Sequence, residues 1–118
     1  MIDKTFVEHF ANDWIDSWNS HDLDRILSHY SDDFEISSPL ILQIAGEPSG
    51  TLKGKQAVGG YWTKVLGLVP DLRFELMTTL LGANSITIYY RGARGLAAEV
   101  FHFDAAGKVV RAFAHYAV

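Results

Sequence analysis

The N-terminal part of the chain carries hydrophobic residues at a helical spacing. Aromatic side chains recur at every fourth position from Phe6 to Trp18, which places their rings on one face of a helix. Polar residues fall on the opposite side. Thr5 and Glu8 have the spacing of a capping box, in which a hydroxyl and a carboxylate satisfy free N–H groups at a helix start. The pattern therefore predicts a first helix with a wide apolar face.

A shorter apolar stripe follows at positions 23, 26, 27 and 30. This spacing predicts a second helix whose buried face ends with Tyr30. The polar run of residues 31–33 ends that helix. Residues 34–37 then alternate between apolar and polar, which predicts a short strand.

The middle of the chain gives a weaker pattern. Residues 39–53 open with Pro39 and contain a turn signal at positions 47–50, so we interpret them as an excursion over the mouth of a pocket. A helical spacing resumes from Gly54 to Gly67 and predicts a third helix. Gly67 and the following Pro70 end it.

The C-terminal part has the signature of β structure. Four strands are predicted, at residues 72–81, 85–91, 96–104 and 109–116. Short glycine-containing turns join them, which predicts an antiparallel meander. Helices followed by such a sheet are typical of an α+β domain, and 118 residues suit a single domain.

Charge and composition exclude several classes of function. The net charge is −4 and the ten lysines and arginines are scattered, which disfavours a nucleic-acid partner. The sequence has no cysteine, so disulfides and thiol chemistry are excluded. The first residues lack the basic and apolar regions of a signal peptide, and no apolar run is long enough to span a membrane. A cytoplasmic protein without a membrane partner is expected.

The order of these elements and several residue groups carry a family resemblance. The groups are Trp14 to Trp18, Asp22 to Asp24, Tyr30 to Phe34, Ser38-Pro39, Gly54, Tyr61-Trp62, Ala98 to Asp104, Gly107 to Val110 and His115-Tyr116. The chain resembles the nuclear-transport-factor-2-like superfamily, and within it the SnoaL-like and ketosteroid-isomerase-like proteins. The resemblance implies a cone-shaped curved sheet wrapped around three N-terminal helices, with an internal pocket for a small apolar ligand. It also implies a homodimer through the outer sheet face and no metal or organic cofactor.

The resemblance to ketosteroid isomerase places three residues at functional positions. Ser38 stands where that enzyme has its aspartate base, Trp14 where it has a tyrosine donor, and Glu99 where it has a protonated aspartate. Serine is no base without a neighbouring activator, so the isomerase mechanism is not transferred. SnoaL-like cyclases pair Asp with His in the cavity, which makes His115 a further candidate.

Glu99 is the candidate catalytic residue. Strand alternation puts it on one face with Ala97, Phe101 and Phe103. If this face lines the cavity, burial would raise the pKa of Glu99 towards neutrality, which suits an acid or a base. Two alternatives are an ion pair with a nearby Arg or Lys and a strand register that turns the side chain to solvent.

The remaining candidates are residues expected to contact a substrate in the same pocket. They are Trp14, Trp18, Tyr30, Ser38, Trp62, Phe101, Tyr116 and His115. Core packing is the simpler explanation of the tryptophans and of the Tyr30 ring. Alternation places His115 on the face of its strand opposite Tyr116, which would turn it away from the cavity. Arg91 and Arg94 fall in or near a hairpin turn and match no epoxide-hydrolase arrangement.

Three functions are compatible with these features. The first is an acid–base isomerase, cyclase or hydratase acting on an apolar cyclic carbonyl compound, with Glu99 as proton carrier and Trp14, Ser38 or Tyr30 as hydrogen-bond donors. The second is a non-catalytic ligand-binding module with the same pocket. The third is a dimeric interaction domain whose cavity is filled by side chains. An open cavity with an unpaired Glu99 would favour the first.

Overall fold

A computed structural model gives the fold and describes residues 2–118, so Met1 lies outside it. In this range the helices are α1 (Lys4–Asn19), α2 (Leu23–Leu27), α3 (Pro39–Ala45) and α4 (Lys55–Leu68). The strands are β1 (Tyr30–Ser37), β2 (Thr51–Lys53), β3 (Glu75–Leu81), β4 (Ser85–Gly92), β5 (Gly95–Phe103) and β6 (Val109–Tyr116). The α+β class is confirmed.

Helix α1 has the predicted apolar face but a different start. Asp3 is the N-cap residue, and its carboxylate accepts a hydrogen bond from the backbone N–H of Phe6 at 2.9 Å. The predicted capping box of Thr5 and Glu8 is wrong, because Thr5 already lies inside the helix. A carboxylate at this position also interacts favourably with the positive end of the helix dipole.

Helix α2 is shorter than its apolar stripe predicts. It ends at Leu27, and Tyr30 is the first residue of β1 rather than the last of a helix face. The reason is a tertiary hydrogen bond: the N–H of Val109 donates to the carbonyl of His29 at 2.9 Å. This bond draws the chain into the sheet beside β6 before the helix completes another turn.

The excursion at residues 39–53 contains a short helix and a short strand. Ser38 caps α3, since its hydroxyl accepts from the N–H of Leu40 at 3.2 Å. Pro39 suits the first turn, where its missing N–H costs nothing. Gly46 ends α3 with a φ of 72°, a left-handed conformation that glycine adopts without strain. The chain then returns along β1 as β2.

All six strands belong to one curved, unclosed sheet in the order β2-β1-β6-β5-β4-β3. The predicted meander is confirmed, because β3 to β6 pair with their neighbours in antiparallel fashion. Strand β1 pairs with β6 in parallel, so the sheet is mixed at this point. This parallel neighbour has no local sequence signal, because the long connection from β1 to β6 includes all the other strands.

The start of β3 is fixed by the end of α1. The predicted strand at residues 72–81 begins only at Glu75. Asn19 holds the preceding backbone, accepting from the N–H of Phe74 at 2.6 Å and donating to its carbonyl at 2.9 Å. Residues 72–74 therefore pack against the helix instead of pairing in the sheet.

Aromatic rings fill the space between α1 and the sheet. Phe10 contacts Phe101 and Phe103 edge to face, with ring centroids 5.1 and 5.0 Å apart. Trp14 contacts Phe101 in the same way at 5.3 Å. This packing closes one end of the cone and leaves the other end open. No helix within residues 2–118 is long and apolar enough to cross a membrane.

Candidate functional site

A cavity of about 340 Å³ occupies the open end of the cone. Its walls come from α1, α3, α4, the end of β1 and the β4, β5 and β6 strands. The lining residues are Trp14, Trp18, Ile36, Ser38, Leu40, Ile44, Tyr61, Trp62, Val65, Leu68, Val69, Leu72, Phe74, Tyr90, Gly92, Ala93, Arg94, Gly95, Ala97, Glu99, Ala114 and Tyr116. Leu40 and Ile44 of α3 belong to this wall, which agrees with the interpretation of residues 39–53.

Small residues on the inner face of the sheet create the space. Ala97 lies between Tyr90 on one neighbouring strand and Tyr116 on the other. Ala114 lies directly opposite Glu99. Because side chains of paired residues project to the same face, each alanine leaves a gap beside a larger polar group. The polar groups thus surround open volume instead of being packed over.

Glu99 lies in the cavity wall with 5% of its surface exposed. Within residues 2–118 no hydrogen bond or ion pair joins its carboxyl to another side chain, and burial alone shifts its pKa. Burial raises the pKa of Glu99 to about 8, because the low-polarity surroundings penalise the charged form. At neutral pH the side chain is mostly a carboxylic acid, so it can donate a hydrogen bond into the cavity.

Three tyrosines line the cavity around this acid. Burial raises the pKa of Tyr61 to about 12, with the charge of Glu99 adding to the shift while Ser38 and Arg94 oppose it. Burial, followed by the charge of Glu99, also raises the pKa values of Tyr90 and Tyr116. All three phenols therefore keep their protons and are potential donors.

The sequence interpretation missed Tyr61 and Tyr90. Alternation in β4 does place Tyr90 on the face of Ile86 and Ile88, which is the inner face. Tyr61 adjoins Trp62 on α4, and both are buried. The sequence signal that identifies both as candidate cavity residues is a tyrosine, with its polar hydroxyl, on a predicted buried face.

Trp14 and Tyr30 interact with each other below the cavity. The Trp14 ring lines the wall, but its Nε1–H donates to the Tyr30 hydroxyl at 3.0 Å. Tyr30 is 1% exposed and does not line the cavity. Tyr30 starts β1 behind the Trp14 ring, so its predicted ligand contact gains no support from the cavity wall and stays a prediction. The Trp14 N–H is already used.

Replacing the Tyr30 hydroxyl tests this buried bond. Tyr30→Phe leaves the Trp14 N–H without an acceptor, so we expect a loss of about 1–2 kcal/mol in the free energy of unfolding. Urea denaturation measures this loss. Tyr89→Phe on the outer face of β4 is the matched control and should leave stability unchanged. Equal stability of both variants would contradict a structural role for the bond.

The other residues predicted to contact a ligand lie in the cavity wall, in the core or on the outer sheet face. Trp18, Trp62, Ser38 and Tyr116 line the wall. Trp18 and Trp62 pack edge to face with centroids 5.2 Å apart. Phe101 is fully buried in the core, so it is not a wall residue. His115 is exposed on the outer sheet face, as strand alternation indicates, so it lies outside the cavity wall and its ligand contact stays a prediction.

Arg94 is a cavity residue that the sequence interpretation left without a role. It lies with Ala93 at the tip of the β4–β5 hairpin, where Gly92 pairs with Gly95. Gly92 packs closely on the Phe74 ring, since an added Cβ would lie 3.2 Å from the ring. The hairpin thus packs on the wall and presents an exposed arginine at the mouth.

Solved structures of similar fold carry small molecules. The chain is 58% identical to a SnoaL-like protein of unknown function from Burkholderia thailandensis, with a TM-score of 0.96 over 99% of this chain and 98% of that one. A Mycobacterium tuberculosis protein in complex with estradiol-17beta-hemisuccinate is 16% identical, with a TM-score of 0.75 over 96% and 95% of the two chains. TerC co-crystallised with polyporic acid is 14% identical, with a TM-score of 0.77 over 95% and 92%.

The family is established by sequence as well as by fold. No curated protein matches the chain. The SnoaL-like domain matches residues 11–116, which include every helix and strand from α2 to β6 and all of the cavity wall. Because this match covers most of the chain, the chain belongs to the SnoaL-like domain family.

Proposed function

We propose that the protein binds a small, mainly apolar cyclic carbonyl compound and acts on it by acid–base chemistry. Glu99 is the proposed proton carrier. The observation that carries the proposal is an unpaired carboxyl group in the wall of an open, mostly apolar cavity. Such a group is costly to bury without a partner, and a ligand with a hydrogen-bond acceptor would supply one.

The position of Glu99 suits proton transfer to and from a carbonyl compound. A pKa near 8 lies close to neutral pH, where a group can both give and take a proton. As an acid, Glu99 donates its proton towards the carbonyl oxygen. Tyr61, Tyr90 and Tyr116 provide further O–H donors for negative charge that develops on that oxygen. Isomerisation, cyclisation and hydration all use this kind of step.

Ser38 argues against a direct copy of the isomerase mechanism. Its hydroxyl accepts the N–H of Leu40 and caps α3. Its other hydrogen-bonding neighbours within residues 2–118 are the hydroxyls of Tyr61 and Tyr116, and a protonated phenol is no base that would activate a serine. In the part of the chain that the structure describes, the cavity lining has no carboxylate besides Glu99. This favours the second candidate, a protein that binds the same ligand without converting it.

The interaction-domain hypothesis is not proposed. It requires a cavity filled by side chains, whereas the cavity is open. A homodimer through the outer sheet face, with Val100, Phe113 and His115 on it, stays a separate prediction.

Two substitutions of Glu99 separate binding from proton transfer. Acetylnaphthalene, an apolar ring compound with one ketone group, is the probe ligand. Glu99→Gln keeps a hydrogen-bond donor, so we expect its dissociation constant for this probe to lie within about threefold of the wild-type value. Glu99→Leu removes the donor, and binding should weaken about tenfold. Fluorescence titration measures both. Equal binding by the wild type and Glu99→Leu would contradict the role of Glu99.

Deuterium exchange at the acetyl methyl group of the bound ketone tests the catalytic part. Near pH 8 in D₂O the wild type should accelerate this exchange, because the ionised fraction of Glu99 takes a methyl proton while a tyrosine hydroxyl donates to the enolate oxygen, and Glu99 then returns a deuteron from solvent to the carbon. Glu99→Gln should lose the acceleration, because the amide transfers no proton. NMR spectroscopy follows the exchange. Wild-type protein that binds the ketone without accelerating exchange would support the binding module instead.

A further inference from the structure

The mouth of the cavity carries a cation without a carboxylate partner. Within residues 2–118 no carboxylate lies within 4 Å of the Arg94 guanidinium. Its Nη2 has one long contact, 3.4 Å to the Oε1 of Gln43 on α3. Arg91 on the same hairpin differs, since it pairs with Glu75 and does not line the cavity.

The Arg94 side chain belongs to the cavity lining at the exposed mouth, on the side of α3. Its positive charge lowers the pKa values of Tyr61 and Tyr116, against the larger effect of burial. Both phenols belong to the cavity wall, so the guanidinium lies close enough to influence them. Lys64 adds positive charge near α3, with its Nζ 2.9 Å from the carbonyl oxygen of Ile44.

Arg94 and Glu99 lie at opposite ends of the same wall. Gly95, next to Arg94, and Glu99 are four residues apart on β5, a distance of about 14 Å at the usual rise of a strand. These two are also the only residues of a charged type in the lining within residues 2–118. The space between them is apolar or aromatic, apart from tyrosine and serine hydroxyls.

We infer that the ligand is a two-ended acid, an apolar ring system with a carbonyl group at Glu99 and a carboxylate at Arg94. This inference rests on the proposed function, because it uses the same cavity and the same role of Glu99. A guanidinium binds a carboxylate through two parallel N–H donors, which fixes the orientation of the ligand. A Glu99 that is uncharged at neutral pH does not repel such an anion.

An acetylnaphthoate with its substituents at opposite ends of the rings is the probe, and its methyl ester is the neutral comparison. At pH 7 and low salt, the wild type should bind the acid about fivefold more tightly than the ester. Arg94→Gln should lose this preference, so that the variant binds acid and ester with similar dissociation constants. Arg94→Lys should keep part of it. Arg91→Gln, the matched control, should keep all of it. Isothermal titration calorimetry measures each dissociation constant.

The outcomes distinguish this inference from the proposed function. If the wild type binds acid and ester equally, or if Arg91→Gln loses the preference as fully as Arg94→Gln, the inference is wrong and the carbonyl site stands. If the wild type binds neither compound nor acetylnaphthalene, the proposed function fails and the inference fails with it. Thermal melts show that each variant is folded, and the hairpin tip is exposed, so no large loss of stability is expected.

Discussion

Raising the pH from about 5 to about 9 should lower the free energy of unfolding of the wild type by about 4 kcal/mol more than that of Glu99→Gln. The difference comes from one carboxyl group whose pKa is near 8 in the fold and 4.5 in the unfolded chain. Between these values the unfolded chain releases the proton and the folded protein keeps it. Ionisation of the Glu99 carboxyl in this pH range therefore stabilises the unfolded chain relative to the folded protein.

The sign follows from the raised pKa. Below about 4.5 both states hold the proton, and the stability associated with Glu99 is fully present. It declines as the pH rises towards 8 and is constant above that value. Glu99→Gln has no group that titrates here, so subtracting its profile removes the contribution of every other residue. Urea denaturation at five or more pH values measures both profiles. Parallel profiles would contradict a raised pKa.

Filling the cavity beside Glu99 should abolish most ligand binding without damaging the fold. Ala114→Leu places a branched side chain in the gap opposite Glu99. Forcing a ligand against these extra carbons costs about 1–3 kcal/mol, which corresponds to roughly 5- to 150-fold weaker binding of acetylnaphthalene. The melting temperature should stay constant or rise, because the new side chain occupies empty apolar space.

Ala98→Leu is the control for this substitution. Ala98 neighbours Glu99 on β5 but lies on the outer face of the sheet, away from the cavity. The Ala98→Leu variant should bind acetylnaphthalene with the same affinity as the wild type. If Ala114→Leu binds acetylnaphthalene as tightly as the wild type does, the ligand occupies another place. If both variants lose affinity equally, the effect comes from the strands and not from the cavity.

The sequence predicts those parts of the fold that depend on local patterns. The aromatic repeat from Phe6 to Trp18 specifies α1, and glycine-containing turns specify the meander. It fails where a distant partner decides. Tyr30 completes a helical stripe, yet a hydrogen bond from Val109 to His29 places it in a strand. Asn19 delays the start of β3 in the same way, through its bonds to Phe74.

The site is less predictable than the fold, because its properties depend on empty space. Alternation places Glu99 on the inner face, but only the alanines opposite and beside it leave it unpaired. Phe101 lies on the same face two residues on, where Phe10 and Trp14 fill the space. Arg94 has no periodic signal, since its direction is set by the hairpin tip.

Direct titration of the Glu99 carboxyl carbon by NMR, with and without acetylnaphthalene, tests the central claim that a neutral acid in the cavity binds a carbonyl group. Glu99→Gln identifies the resonance. The account predicts a midpoint near pH 8 in the free protein and a higher one with ligand, because the ligand binds the protonated form. A midpoint near 4.5 that the ligand does not move would contradict it.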